Sequence, residues 1–170
     1  MDKASSRDHY ALTNRLRGYL LLLGVAVLVF GLDQLSKAWI RALLAPGQSL
    51  PEDAPVRLTH VTNTGGAFGL FPDQTIFFTL VAVLVIGAIL FYARRLPEQS
   101  LLVQVALGMQ LGGAIGNLLD RIRLGYVVDF IDFRFWPVFN LADSAIVVGV
   151  IFLAYTYLFG SDRRVESPQG

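Results

Sequence analysis

The side chains able to do chemistry in this chain are carboxylates with amides and a few cations around them: Asp33, Asp120, Asp129 and Asp143, with Lys37, Arg121, Asn63, Asn117 and Asn140. Cysteine is absent, which excludes thiolate nucleophiles, thiolate metal sites and disulfides. His9 and His60 are far apart in the chain and there is no HExxH motif. A hydrolase made of these residues has to use paired carboxylates. Such a pair shares one proton, because neighbouring carboxylates cannot easily both ionise, and one then serves as base toward water and the other as acid.

Each acid also has a plainer explanation. Asp33 and Lys37 are four apart, so on a helix they meet as a structural ion pair. Asn117, Asp120 and Arg121 share one helix face by the same spacing, and a helix-end network there is as reasonable as a direct role. Arg121 is expected to hold a buried carboxylate, so that its loss would harm folding as well as activity. In Phe139-Asn140-Leu141-Ala142-Asp143, Asn140 reads as an N-cap with Asp143 at the third helical position, a variant capping box that by itself accounts for an acid. Asp129 has the weakest structural excuse. On a regular strand over 127–135 it shares a face with Val127, Ile131, Phe133 and Phe135, whereas Asp132 shares the other face with Arg134, a ready partner.

The elements that must position these groups are membrane helices. Hydrophobic residues make up 54% of the 170 residues and charged ones 16%, well below the share of a soluble domain. Four apolar stretches, at about 19–40, 75–92, 101–119 and 141–159, each approach the length needed to cross a bilayer. The expected fold is an integral membrane, mainly α four-helix bundle, one domain over 1–170, with a small β-structure on its outer face. The first stretch is too long for a cleavable leader, and no A-x-A-like site follows it. Basic residues at the amino end (Lys3, Arg7, Arg15, Arg17), at Arg94-Arg95 and at Arg163-Arg164 put both termini in the cytoplasm, although Arg41, Arg57, Arg121, Arg123 and Arg134 weaken the bias. Segments 56–62 and 126–135, rich in β-branched and aromatic residues, read as strands. Phe68, Phe71, Trp136 and Phe139 are expected to seat the outer segments in the interface. Gly108, Gly112 and Gly116 recur every four residues, a packing signal for close helix approach.

This topology brings Asp33, Asn63, Asn117, Asp120, Arg121, Asp129, Asn140 and Asp143 to the outer end of the bundle, an arrangement suited to hydrolysis by two aspartates. The runs carrying them are D-Q-x-S-K at Asp33 to Lys37, N-T-G-x-A-F at Asn63 to Phe68, G-N-x-x-D-R at Gly116 to Arg121, V-V-D-F at Val127 to Phe130 and F-N-x-A-D at Phe139 to Asp143. In this order and spacing the chain resembles the lipoprotein signal peptidases (signal peptidase II). Gly66 departs from the family's usual alanine.

The resemblance implies an intramembrane aspartyl endopeptidase with Asp129 and Asp143 as catalytic dyad. Asp33, Lys37, Asn63, Asn117, Asp120, Arg121 and Asn140 would support the dyad or contact substrate. It implies removal of the signal peptide from diacylglyceryl-modified prolipoproteins, just before the lipid-modified cysteine, in the bacterial cytoplasmic membrane. No metal or organic cofactor is implied, membrane lipids are partners, and a monomer is expected. The near-neutral charge, with no basic run among aromatics, speaks against nucleic acid. The rival from another class is a proton-coupled transporter or channel subunit, since buried charges mark those too; yet internal repeats and midplane charges are lacking. A non-enzymatic assembly factor leaves Asp129 unexplained. A serine enzyme at Ser144 is disfavoured because that serine sits in A-D-S-A.

Overall fold

The computed structural model describes residues 3–65, 75–95 and 100–159, with side chains from Thr13 onward apart from Arg95. Gly66, Phe68, Phe71 and the Arg163-Arg164 pair lie outside the described residues. The elements in chain order are α1 (Lys3–Leu43), β1 (Ser49–Leu50), β2 (Arg57–Asn63), α2 (Thr75–Arg95), α3 (Leu101–Leu124), β3 (Val127–Asp132) and α4 (Leu141–Phe159). All four helices are long and apolar enough to cross a membrane.

Three helices outrun the apolar stretches that announced them: α1 begins at Lys3, α2 reaches Arg95 and α3 reaches Leu124. Hydropathy marks where the membrane ends, whereas the backbone ladder continues until something stops it. For α1 the stop is Pro46, which disfavours helical conformation in the residue before it. For α3 the stop is Gly125, left-handed at φ 81°, whose N–H bonds Arg121 O.

α3 is the central helix, packed by α1, α2 and α4, and its span is 56% buried against 17% or less for the others. The close approach depends on glycine. A methyl group at Gly108 would lie 2.6 Å from Leu22 O of α1, and one at Gly113 would lie 2.6 Å from Ala142 O of α4. At Gly112 it would run into Ala26 O, and at Gly116 into the Asp33 carboxylate. The packing role expected of the glycine stripe is therefore present, but its last member abuts a charge rather than a backbone.

Leu22, Ala26, Ile89, Leu107 and Leu111 fill the space between helices. A second apolar cluster of Ile40, Val128 and Phe130 seals the sheet onto the helix ends. Leu20, Val27, Leu84 and Ile151, all more than half exposed, point away from the bundle as lipid-facing side chains would.

The sheet is antiparallel in the order β1-β2-β3. A bulge in β2 between Leu58 and Val61 shifts the pairing from Leu58↔Ile131 to Val61↔Asp129. The expected strand 126–135 ends at Asp132, because Arg134 takes a left-handed φ of 65° that breaks alternation. Phe139 then returns to bridge Ile131, leading the chain into α4.

Candidate active site

Asp129 sits at the centre of β3 with its side chain on the face opposite Val128 and Phe130, which go into the core. Its cross-strand partner is Val61, so Asn63, two residues on, is its diagonal neighbour. Asn63 Nδ2 donates to Asp129 Oδ2 at 2.8 Å, and Asn140 Nδ2 donates to Oδ1 at 2.7 Å. This corrects the expectation of purely apolar surroundings, which followed from assuming that Phe133 and Phe135 continue the strand. Asp129 is nonetheless 2% exposed. Burial, and next the neighbouring Asp143 charge, push its carboxyl up to about 7 against the pull of the Asn63 and Asn140 amides.

Asp143 is placed by the first turn of α4. The capping box is reciprocal: Asp143 N–H donates to Asn140 Oδ1 at 2.9 Å, and Asn140 N–H donates to Asp143 Oδ2 at 3.3 Å. The remaining oxygen, Oδ1, accepts from Asn117 Nδ2 at 2.8 Å. Capping and chemistry are thus compatible in one residue. Asn140 touches both acids and is fully buried.

Beneath the two acids lies an ion cluster. Lys37 Nζ is 2.9 Å from Asp33 Oδ2, 2.9 Å from Asp120 Oδ2 and 2.8 Å from Asn117 Oδ1. Asp33 Oδ1 accepts the Ala142 N–H of α4 at 3.1 Å. The expected Asp33–Lys37 pair is present, but it is the smaller part of the arrangement. Asp120, expected in a network along its own helix, faces α1 instead.

Arg121 departs most from expectation. Among the described residues it forms no carboxylate ion pair; its Nη1 reaches Asn117 O at 3.4 Å and its guanidinium lies 5.6 Å from the Phe78 ring centroid. It is half-buried and faces the cleft, within electrostatic reach of Asp143 and Asp129. Asp132 pairs with Arg57 Nε at 2.7 Å and Thr59 Oγ1 at 2.7 Å, and takes only the backbone N–H of Arg134. Burial alone would raise the Asp132 carboxyl, but the bonds from Thr59, Arg57 and that N–H hold it below its ordinary value.

The acids open into a cleft of about 500 Å³, with Asn63, Asn117 and Arg121 beside them. Its walls are Val127, Trp136, Phe139, Val147 and Val148. Sequence reasoning missed Gln34, whose Nε2 joins Asp33 Oδ2, Gly116 O and Asp120 Oδ1 at 3.1 to 3.2 Å. Its place beside Asp33 was the available signal. It also missed the α4 face formed by Ser144, Val147 and Val148, which helical spacing from Asn140 marks out.

The family model for signal peptidase (SPase) II matches residues 25–159. The lipoprotein signal peptidase of Moorella thermoacetica is 49% identical over 151 residues, covering 88% of this chain and 99% of that one. That of Caldanaerobacter subterraneus is 52% identical over 143 residues, covering 82% and 97%. Among solved structures, one bacterial membrane enzyme superposes with a TM-score of 0.79 at 30% identity, covering 88% of this chain and 94% of that one. A second superposes at 0.72 with 32% identity, covering 82% and 94%. With its sequence matched along almost its whole apolar length and its fold shared with bacterial membrane enzymes, the chain belongs to the signal peptidase II family.

Proposed function

We propose that this chain is a bacterial membrane endopeptidase of aspartic type that removes signal peptides from prolipoproteins, with Asp129 and Asp143 as the reacting pair. The observation that carries the reading is the bonding of both carboxylates to Asn140 at the foot of an apolar-walled cleft.

The two environments divide the labour. Asp143 accepts two N–H groups at the positive end of α4, which hold its carboxylate in place to act as base toward water. Asp129, with its carboxyl pushed up to about 7, keeps the shared proton. The Asp143 carboxylate takes a proton from water as the water oxygen attacks the scissile carbonyl carbon, and Asp129 gives its proton to the carbonyl oxygen. As the tetrahedral intermediate collapses, Asp143 passes its proton to the amide nitrogen, the C–N bond breaks, and the hydroxyl proton returns to Asp129. Only side chains of this chain and water take part.

We place both termini in the cytoplasm and the cleft at the outer face, on the strength of Arg15, Arg17 and Arg94 at the opposite end of the helices. A cysteine bearing diacylglycerol suits a cleft at the membrane boundary, since its acyl chains remain in lipid while the peptide bond reaches the acids. On this reading the chain acts as a single-domain monomer among membrane lipids.

The test is detergent-purified protein mixed with a diacylglyceryl-modified prolipoprotein and with its unmodified counterpart, read as a gel shift. The reading expects cleavage of the modified substrate alone; equal cleavage of both would remove the lipid from the substrate definition.

A further inference from the structure

Lys37 touches neither acid of the pair, yet it bonds Asn117, the residue that donates to Asp143. Its ammonium has three N–H donors and no acceptor. Asp33 Oδ2, Asp120 Oδ2 and Asn117 Oδ1 take one each, at 2.9, 2.9 and 2.8 Å. The Asn117 atom facing Lys37 therefore has to be oxygen, and the other arm of that amide, aimed at Asp143 Oδ1 at 2.8 Å, has to be the NH₂ group. Asn140 agrees with this orientation by donating to the same Asn117 oxygen at 3.1 Å. Without a cation below it, only the Asn140 amide would hold the Asn117 oxygen in place against a turn of that oxygen toward Asp143 and of the NH₂ toward Asp33 and Asp120. Asp143 would then lose a donor and face a lone pair.

We propose that Lys37 is a positioning residue for the reaction: held by Asp33 and Asp120, it locks the Asn117 carboxamide so that its N–H is always presented to Asp143. This rests on the reading of Asp129 and Asp143 as the reacting pair. Lys37, Asp33 and Asp120 are each no more than 2% exposed, so the lock is dry and its hydrogen bonds face no competition from solvent.

A lone Lys37→Met would leave two buried carboxylates unpaired and threaten the fold. The test therefore uses the neutral triple variant Asp33→Asn/Lys37→Met/Asp120→Asn, with Asn117→Leu and the combination of both. Released from the lock, the triple variant should lose about 10- to 100-fold in kcat with KM nearly unchanged. Asn117→Leu should lose at least as much, and adding the triple set to Asn117→Leu should lose no more. Multiplying losses would overturn the inference, because a merely structural cluster acts independently of Asn117.

The wild-type protein supplies a second readout that needs no folded variant of the cluster. In amide-labelled protein, one Asn117 carboxamide proton should be shifted strongly downfield by the Asp143 carboxylate and lose that shift in Asp143→Ala. An unshifted Asn117 amide would equally overturn the lock. Asp143→Asn in the same assay separates the two levels: retained turnover would sink the dyad and the lock with it, whereas an inactive Asp143→Asn with multiplying losses sinks the lock alone.

Discussion

The Asn140 carboxamide donates to Asp129 Oδ1 at 2.7 Å while its own backbone N–H bonds Asp143, so one buried residue spaces the two acids. Changing either acid to its amide keeps the volume and removes the proton chemistry. Asp129→Asn and Asp143→Asn are each expected to lower turnover at least ~1000-fold while the protein inserts and folds. Asp132→Asn should stay within several-fold of wild type, since Asp132 ties β3 to Arg57 and Thr59 rather than facing the cleft. Steady-state cleavage of the lipid-modified substrate measures all three, and near-normal turnover in either of the first two refutes the assignment.

The Asp129 carboxyl gives a pH dependence of definite sign. Its folded value of about 7 lies above the ordinary 3.8, so the folded state holds a proton that the unfolded chain has already released. Stability from this group is full below about 4 and is lost as pH rises through about 7. Asp129→Asn, which never ionises, should gain on wild type over that window by up to about 4 kcal/mol and then level off. Melting midpoints of both proteins in detergent between pH 4 and pH 8 check this; a constant difference contradicts it. Activity that needs a protonated Asp129 should fall above pH 7 as well.

Folding stability should depend on Lys37 far more than on Arg121. Removing the ammonium strands two carboxylates, and Lys37→Ala is expected to cost roughly 3 to 5 kcal/mol. Arg121→Ala loses a ring contact and one long hydrogen bond, about 1 kcal/mol, with its main effect on cleavage. Asn63→Ala should likewise reduce activity with little change in melting, since its side chain serves Asp129 and the Gly65 turn. Equal melting midpoints for the Lys37 and Arg121 variants would contradict this ranking.

Reporter fusions after residue 95 and at the carboxyl end should both report cytoplasm, given the basic residues at that end of the helices. An outer-face signal from either would invert or break the proposed four-span orientation.

The parts legible in the sequence were those that depend on neighbours along the chain. Hydropathy located all four helices, the Asn140–Asp143 capping box follows from three-residue spacing, and Asp33–Lys37 from four. What spacing could not show is which helix faces which. Asn117 and Asp120 are three apart in α3, yet one serves Asp143 and both reach Lys37, across about 80 residues of sequence. The strand argument for Asp132 failed at Arg134, where the reversal of φ is invisible to a pattern of alternating side chains. The pairing of Asp132 with Arg57 depends on the β2–β3 register, which the bulge sets.

The meeting of Gly116 with the Asp33 carboxylate bears on the order of assembly. In a two-stage view, each helix inserts alone and the bundle packs afterwards. Helix α1 carries Asp33 and Lys37 one turn apart, so it enters the bilayer as a nearly neutralised pair. Helix α3 brings Asp120, whose carboxylate meets Lys37 where the backbone of Gly116 packs against Asp33. Docking of α3 onto α1 and pairing of the Asp120 charge are therefore one and the same contact.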